Sequence, residues 1–339
     1  MFRHDVIAIG GSLGAVDALR ELGGAFPADL DAAIFVVVHI GPHGNNLLAD
    51  VFGQTSSLPV ETAVDGTQVS PGRIYVAPAD AHLLVIDNII RLGRGPRENM
   101  ARPAIDPLFR SVGVDYGPRA IGVVLTGSLN DGAAGLADLK RCGGLTVVQN
   151  PADAAADEMP LGALRATDVD YRAPLAELGS LLAKLSRESA KLASHIPDDI
   201  RLEVDIALGR TASSEDLARI ADPCAISCPA CGGVLSQLKR SPPLRFRCQV
   251  GHAFTADTLA TDKEASVDEA LRVALRIIEE RIVLTAKMAE DAQKSGRLAA
   301  AKANERRMKE GRFYAETLRR AIIDDDPTDV RVAVDSDEF

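Results

Sequence analysis

Ser12, His39 and Asp131 are three side chains that together could activate a hydroxyl group, and each lies at or just beyond the end of an apolar, strand-like run of the sequence. The carboxyl ends of parallel strands meet at one edge of a sheet, so the three side chains are expected to lie together there. A serine attacks a carbonyl only when a base takes its proton, and a histidine base needs a carboxylate to orient its ring. The pattern thus favours Ser12 as nucleophile, His39 as base and Asp131 as orienting carboxylate. The three runs cover residues 6–9, 34–40 and 120–126.

The glycine-rich turn around Ser12 matches two other motifs only in part. A dinucleotide-binding turn would have glycines where Ser12 and Ala15 stand, and an acidic residue where His39 stands. The G-x-S-x-G elbow of α/β-hydrolases is present locally, but that fold places it after several strands and orders its triad Ser, Asp, His. Nucleotide binding is therefore disfavoured and the α/β-hydrolase fold is rejected.

Each of the three residues also has an ordinary structural interpretation. Ser12 and Asp131 precede helix-like segments, and both residue types are common helix N-caps. His39 could be a strand-end histidine without chemistry, and His43 in the following loop is an alternative base. Spacing alone leaves these alternatives open.

A second chemical pattern lies in the last third of the sequence, where Cys228, Cys231, Cys248 and His252 form C-x2-C and C-x3-H pairs separated by 16 residues. Three thiolates and one imidazole at this spacing predict a structural zinc site in a small folded module. All four positions would be filled, which disfavours a catalytic zinc, and no cofactor is predicted for catalysis. Unpaired thiols, or Cys224 in place of one ligand, are the alternatives.

Composition limits the class of protein. The 339 residues carry a formal net charge of -10, which argues against a nucleic-acid partner, because phosphates require a basic surface. No run approaches the roughly 18 apolar residues of a membrane-spanning helix, and the first residues leave no room for a secretory signal. A cytoplasmic protein that is not inserted in a membrane is expected.

Alternating strand-like and helix-like runs predict an α/β, doubly wound, mainly parallel sheet with helices on both faces. A small zinc-binding module and a C-terminal α-helical hairpin should follow. The predicted divisions are a catalytic domain (1–188), a connector (189–222), a zinc-ribbon-like module (223–262), a helical hairpin (263–323) and an acidic tail (324–339).

Several local predictions accompany this scheme. Residues 72–78 and 82–92 are expected to form an antiparallel pair, 94–99 a charged surface loop, and 202–206 a strand. A short helix at 214–220 would be capped by Ser213 or Ser214. The two final helices should meet near Gly296, with an apolar stripe that forms the hairpin core or, alternatively, a surface for a partner or a second copy.

A set of segments in the first half of the sequence carries a family likeness: residues 9–15, 38–39, 72–78, 81–82, 102–109, 125–132 and 149–160. Through these segments the first half of the sequence resembles the catalytic domain of the CheB chemotaxis methylesterases. This resemblance implies that Ser12, His39 and Asp131 are the catalytic triad, and that the substrates are methylated glutamates, and also glutamines, on the cytoplasmic helices of chemoreceptors. Similar cysteine-rich extensions accompany some stand-alone members of the family.

The sequence also departs from the family pattern. Leu13 replaces a common threonine beside the nucleophile, Ala15 replaces a glycine, and Ser128 stands near a common methionine. The best-known members carry a receiver domain before the catalytic domain, so control by an attached receiver is not expected here. An esterase or amidase in another signalling pathway, or a silent module that binds a signalling partner, are the alternative functions.

Overall fold

The computed structural model describes residues 2–39, 47–192, 195–210, 213–240 and 242–324, without the side chains of 323 and 324. The chain divides into two compact units, Met1–Leu259 and Ala260–Phe339, and each is described by itself. The alternative base His43 and the predicted acidic tail beyond residue 324 lie outside the described residues.

The described residues of the first half contain nine strands, which are, in chain order, β1 (Val6–Gly11), β2 (Ala33–Val38), β3 (Val60–Thr62), β4 (Arg73–Val76), β5 (His82–Ile86), β6 (Ile89–Gly93), β7 (Ala120–Val124), β8 (Leu145–Gln149) and β9 (Tyr171–Ala173). Seven of them form a parallel sheet in the order β3-β4-β2-β1-β7-β8-β9. The predicted fold class is confirmed.

Strand β1 shows why the central strands are apolar along their whole length. Ile7 and Ile9 pack into the core on one face of the sheet, whereas Val6 and Ala8 pack into the core on the other. Successive side chains of a strand point to opposite faces, so a strand covered on both faces needs an apolar residue at every position.

Six helices cover the two faces: α1 (Ala15–Ala25), α2 (Leu48–Gly53), α3 (Ile105–Tyr116), α4 (Ala133–Arg141), α5 (Glu158–Ala166) and α6 (Leu175–Leu185). Helices α1, α2 and α6 contribute to the core on one face, and α3, α4 and α5 to the core on the other. Strand β1 pairs with β2 on one side, and later in the chain β7 pairs with the other side of β1. The crevice at the carboxyl ends of these strands is the place where such sheets form ligand sites.

The predicted antiparallel pairing of 72–78 with 82–92 is wrong. Strand β4 lies in the parallel sheet between β2 and β3, and the antiparallel pair is β5 with β6. Asp87 and Asn88 join β5 to β6 with φ angles of 52° and 59°. Positive φ at both residues of a two-residue turn suits the twist of a hairpin, and Asp and Asn tolerate this conformation.

The predicted strand at 202–206 is also wrong, because these residues lie within helix α7 (Asp198–Leu208). Ile200, Val204 and Ala207 are buried on one side of that helix. A five-residue window is too short to distinguish this spacing from that of a strand.

The predicted short helix is confirmed as α8 (Ser214–Ile220). The Ser213 hydroxyl accepts a hydrogen bond from the Asp216 backbone N–H at 3.1 Å, and the Asp216 carboxylate accepts one from the Ser213 N–H at 3.0 Å. This reciprocal capping box fixes the start of the helix.

A four-stranded antiparallel sheet follows, formed by β10 (Ala221–Ser227), β11 (Val234–Leu238), β12 (Arg245–Cys248) and β13 (Ala253–Thr255). It belongs to the same compact unit as the parallel sheet. The predicted division at residues 188 and 222 therefore does not correspond to separate compact units.

The predicted helical hairpin is present as α9 (Ala256–Lys294) and α10 (Leu298–Asp324), although α9 begins seven residues before the predicted start of the hairpin at residue 263. Arg319 pairs with Glu279 across the hairpin, and Gly311 lies directly against Ile282. Val267 of the predicted stripe is 54% exposed, and the use of this stripe by a partner stays a prediction. Among the described helices, none is long and apolar enough to span a membrane.

Candidate active site

The ends of β1 and β2 bring Ser12 and His39 to the same edge of the sheet. Gly11, the last residue of β1, is in register with Val38, the last residue of β2, and the His39 backbone N–H donates to the Gly11 carbonyl at 3.3 Å. Ser12 and His39 are thus the next residues on two neighbouring strands. The Ser12 N–H donates to the Thr126 carbonyl at 3.0 Å, which ties this turn to the end of β7.

Asp131 follows β7 and meets His39 directly. The His39 Nε2 donates to the Asp131 Oδ2 at 2.7 Å, with the two side chains 23% and 2% exposed. Because Nε2 is engaged, Nδ1 is the nitrogen left to take a proton from a nucleophile. Within the described residues the Ser12 hydroxyl makes no hydrogen bond, so the third link of the predicted triad is not formed in this structure.

Asp131 is held as a carboxylate by donors on both of its oxygens. The Ile105 backbone N–H donates to Oδ2 at 2.6 Å, and the Asn99 Nδ2 donates to Oδ1 at 2.9 Å. Burial opposes ionisation of this group, but the hydrogen bond and charge of His39, together with these two donors, hold the pKa of Asp131 below its usual range. An anionic Asp131 can balance an imidazolium at His39.

The helix ends argue against the capping alternatives for Ser12 and Asp131. The N-caps of α1 and α4 are Gly14 and Gly132, both in the left-handed region, and neither helix has a side-chain cap. Neither Ser12 nor Asp131 therefore caps the helix that follows it in the chain.

A small residue is required beside the serine, at Gly127. A Cβ at this position would lie 2.9 Å from the Ser12 Cβ and 2.8 Å from the Met159 Cε. The turn after β7 therefore packs closely against the turn after β1.

Some backbone N–H groups near Ser12 already donate a hydrogen bond within the protein, whereas others do not. The N–H groups of Gly127 and Leu129 donate to the Ala156 carbonyl at 3.0 Å and to the Glu158 Oε2 at 2.6 Å. Those of Leu13 and Ser128 have no acceptor within the part of the chain that the structure describes. Of these four backbone N–H groups, the Leu13 and Ser128 groups are the two left to bind an oxyanion.

Asn99 and Asp106 were not recognised from the sequence. Asn99 falls in the segment predicted as a surface loop, yet it is only 7% exposed. Its Nδ2 donates to the Asp106 Oδ2 at 3.1 Å as well as to Asp131. Burial, followed by the charge of Asp131, raises the pKa of Asp106 to about 7. No spacing rule identifies an asparagine that bridges two carboxylates.

A second group of ionic side chains, here called the buried ion cluster, lies in the same compact unit as this site. Its members are at most 3% exposed and come from five parts of the chain. Arg247 donates to Glu98 at 2.9 Å and to Glu203 at 2.7 Å, and Arg110 donates to Glu98 at 2.8 Å. Three arginines thus face three carboxylates, which balances the charge. The members are Glu98, Arg110, Asp138, Glu203, Arg245 and Arg247.

The predicted metal ligands Cys228, Cys231, Cys248 and His252 come together in the antiparallel sheet, with all four ligand atoms within 4.8 Å of one another. The Cys231 and Cys248 sulfurs are 3.7 Å apart, and the Cys248 sulfur is 3.4 Å from the His252 Nδ1. Tetrahedral zinc with Zn–S bonds of about 2.3 Å would separate two sulfurs by about 3.8 Å, so this cluster could bind a metal ion.

The two other cysteines, Cys142 and Cys224, do not belong to that group of ligand atoms. The Cys224 thiol donates to the Leu235 carbonyl at 3.2 Å. Cys142 is buried, which raises the pKa of its thiol to about 12. Neither arrangement supplies a further thiolate ligand.

The parallel sheet defines an α/β protein, and it carries a hydrogen-bonded histidine and aspartate beside a serine at the carboxyl ends of its strands. The family model for CheB methylesterase matches residues 7–182, which is just over half of the chain. The chain belongs to the CheB methylesterase family.

Individual relatives agree with this assignment. A protein-glutamate methylesterase/protein-glutamine glutaminase of Methanosarcina mazei is 34% identical over 192 residues, covering 54% of this chain and 52% of that protein. One from Anaeromyxobacter dehalogenans is 37% identical over 185 residues, covering 55% and 54%. The chain thus spans about half the length of these relatives.

A solved structure matches the same portion. The CheB methylesterase catalytic domain of Thermotoga maritima superposes with a TM-score of 0.51 and 30% identity, covering 53% of this chain and 98% of that domain.

Proposed function

We propose that this chain is a serine esterase that hydrolyses methyl esters of glutamate side chains on methyl-accepting chemotaxis receptors, and also deamidates receptor glutamines. The strongest support is the 2.7 Å hydrogen bond from His39 to Asp131 at the strand end beside Ser12, in a chain of the CheB methylesterase family. The two relatives described above are named for these same two activities.

In this mechanism the Ser12 Oγ attacks the ester carbonyl while the His39 Nδ1 takes its proton. His39 then protonates the departing methoxide oxygen, which leaves as methanol, or the amide nitrogen, which leaves as ammonia. Water attacks the acyl-enzyme with His39 again as base, and the proton returns to Ser12 as glutamate is released. Asp131 keeps the proton on Nε2 and balances the imidazolium.

The tetrahedral intermediate carries a negative oxygen that needs fixed donors. The free N–H groups of Leu13 and Ser128 are the proposed pair, and the start of helix α1 adds a favourable dipole. Leu13 and Leu129 are 62% and 40% exposed beside these groups, so they are proposed to contact the apolar side chains of a receptor helix.

The test is methanol release from methylated receptor by the purified chain. Ser12→Ala should reduce kcat by about 10^4 or more, because no other group at the site supplies the nucleophile. Ser180→Ala, at an exposed helix position, serves as the matched control and should retain full activity. Full methanol release by Ser12→Ala would refute the proposed mechanism.

An active-site serine probe separates a wrong substrate from a silent site. Labelling at Ser12 without methanol release would indicate an esterase of another pathway. If Ser12 is neither labelled nor needed for hydrolysis, the chain is not a serine hydrolase.

We also propose that Cys228, Cys231, Cys248 and His252 hold one structural zinc ion. Zinc would complete a tetrahedral site and supply rigidity to the small sheet around it. Thiolate ligands persist in a reducing compartment, which supports a cytoplasmic location.

Elemental analysis of the purified chain tests this site. One zinc per chain is expected, with loss of the metal in Cys228→Ser and retention in the matched control Cys224→Ser. A folded protein without metal would contradict the proposal, and loss of metal only in Cys224→Ser would assign a different ligand set.

A further inference from the structure

Asn99 connects the Asp131 carboxylate to the antiparallel sheet that carries the cysteine and histidine cluster. Its Nδ2 donates to Asp131 at 2.9 Å and to Asp106 at 3.1 Å, while its Oδ1 accepts from the Thr255 backbone N–H at 2.9 Å. The reverse orientation would point the amide oxygen at two carboxylates. The side-chain amide therefore has one favourable orientation here.

Strand β13 holds the backbone of the same segment. The Asn99 N–H donates to the Ala253 carbonyl at 2.8 Å, and the Ala253 N–H donates to the Arg97 carbonyl at 3.3 Å. Together with the bond from Thr255, these contacts fix Asn99 in the left-handed region, with φ of 49°. The position of Asn99 therefore depends on the position of β13.

The position of β13 depends in turn on the turn between two candidate metal ligands. Cys248 ends β12 and His252 directly precedes β13, and the Cys248 N–H donates to the His252 carbonyl at 3.0 Å. Arg247 spans this turn, since it donates to the Gly251 carbonyl at 2.7 Å and to Glu98, the neighbour of Asn99, at 2.9 Å. A metal ion held by Cys248 and His252 would close this turn covalently.

We infer that Asn99 is a positioning residue for Asp131, and that the metal-binding sheet completes the active site by holding Asn99 in place. This inference rests on the proposed esterase function and the proposed metal site. The amide separates two buried carboxylates that would otherwise repel each other, and it engages the Asp131 oxygen that His39 does not use. Without it, the Asp131 Oδ1 keeps only the long 3.4 Å hydrogen bond from the Asp106 N–H, so the carboxylate is held less firmly against His39.

The first measurement compares Asn99→Gly with the wild-type chain. Glycine keeps the left-handed backbone without strain and removes only the amide. We expect kcat to fall about 10- to 100-fold with KM within twofold, because substrate contacts are unchanged. Asn88→Gly is the matched control, since Asn88 has a φ of 59° in the exposed β5–β6 turn. It should retain wild-type kcat.

The second measurement removes the metal with a chelator from both proteins. In the wild type, chelation should reduce kcat by about the same factor as the Asn99→Gly substitution does. In Asn99→Gly it should change kcat less than twofold, because the pathway to Asp131 is already broken. Equal losses on chelation in the two proteins would show that the metal acts without Asn99 and would overturn the inference.

The third measurement does not depend on the substrate. The proton between His39 Nε2 and Asp131 should give a downfield NMR resonance in the wild type that is weakened or lost in Asn99→Gly and on chelation, but kept in Asn88→Gly. An unchanged resonance and kcat in a folded Asn99→Gly would refute the positioning role. If the wild type releases no methanol, the proposed function fails, while this resonance still tests the role of Asn99.

Discussion

The edge that carries Ser12, His39 and Asp131 and the buried ion cluster are both ionic, yet they are built in opposite ways. At the edge, strand ends place three side chains together, and His39 remains 23% exposed. In the cluster, six side chains from α3, α4, α7, β12 and the loop before α3 are buried and share partners. The first arrangement suits chemistry on an incoming substrate, and the second joins parts of the chain that are distant in sequence.

This difference predicts that substitutions at the edge change turnover, whereas substitutions in the cluster change stability. Asn99 is the exception, because it touches the edge and is held by the sheet that supplies two arginines to the cluster.

The largest expected effect is that of Asp131→Asn. The amide keeps the shape of the side chain but cannot balance an imidazolium or keep the proton on Nε2, so kcat should fall about 10^4-fold. Methanol release at saturating substrate measures it, and the melting curve should show a folded protein. Asp115→Asn is the control, because Asp115 also accepts two backbone N–H bonds, far from the edge. A loss under tenfold in Asp131→Asn would remove Asp131 from the mechanism.

Arg245→Met should have the largest effect on stability. It leaves Glu203 and Asp138 buried with one cation fewer, which should lower the free energy of unfolding by about 3–5 kcal/mol. Arg73→Met removes a partner from an exposed ion pair and should cost about 1 kcal/mol or less. Urea unfolding measures both changes. Equal losses of unfolding free energy in the two variants would mean that the buried ion cluster stabilises the fold no more than an exposed ion pair does.

Gly127→Ala tests how closely the edge is packed. The new methyl group would meet Met159 and Ser12 at 2.8–2.9 Å, so one of them must shift. A displacement of about 1 Å at a nucleophile can cost about 10^2 in rate, so we expect kcat to fall 10- to 100-fold. Gly24→Ala, where the nearest atom is 3.7 Å away, should have wild-type kcat. Wild-type kcat in Gly127→Ala would show that the turn tolerates the shift.

The smallest expected effect is on the pH dependence of stability. Burial would raise the pKa values of Glu98 and Glu203, but the arginines around them hold both below the usual range. Carboxylates with lowered pKa stabilise the fold above their unfolded pKa, and that contribution is lost as pH falls below about 4.5.

Glu203→Gln should therefore show a weaker fall in unfolding free energy between pH 5 and 3 than the wild type, although it is less stable at neutral pH. Glu61→Gln, in an exposed pair, should keep the wild-type slope. Urea unfolding at several pH values measures these slopes, and identical slopes for Glu203→Gln and wild type would contradict the assignment.

The sequence was sufficient for the parallel sheet because strands buried on both faces need continuous apolar runs. It was also sufficient to nominate Ser12, His39 and Asp131, since each lies at or just beyond the end of such a run. These roles stay proposals until kinetics test them.

Other features could not be found in this way. Glu98 and Asn99 have the composition of a surface loop, and only packing against β12 and β13 buries them. The five-residue run 202–206 is too short to show the period of helix α7. Nothing in the sequence indicates that Glu203 of this helix faces Arg245 and Arg247.

The buried ion cluster also limits how this chain can be recombined with its relatives. A fragment ending at residue 188 would keep Glu98, Arg110 and Asp138 but lose Glu203, Arg245 and Arg247. A chimera that joined the second half to another catalytic domain would bury two arginines against a surface not selected to neutralise them. The two halves of the chain are therefore expected to be inherited together. Gene shuffling should succeed only where the cluster residues before and after residue 188 are exchanged together.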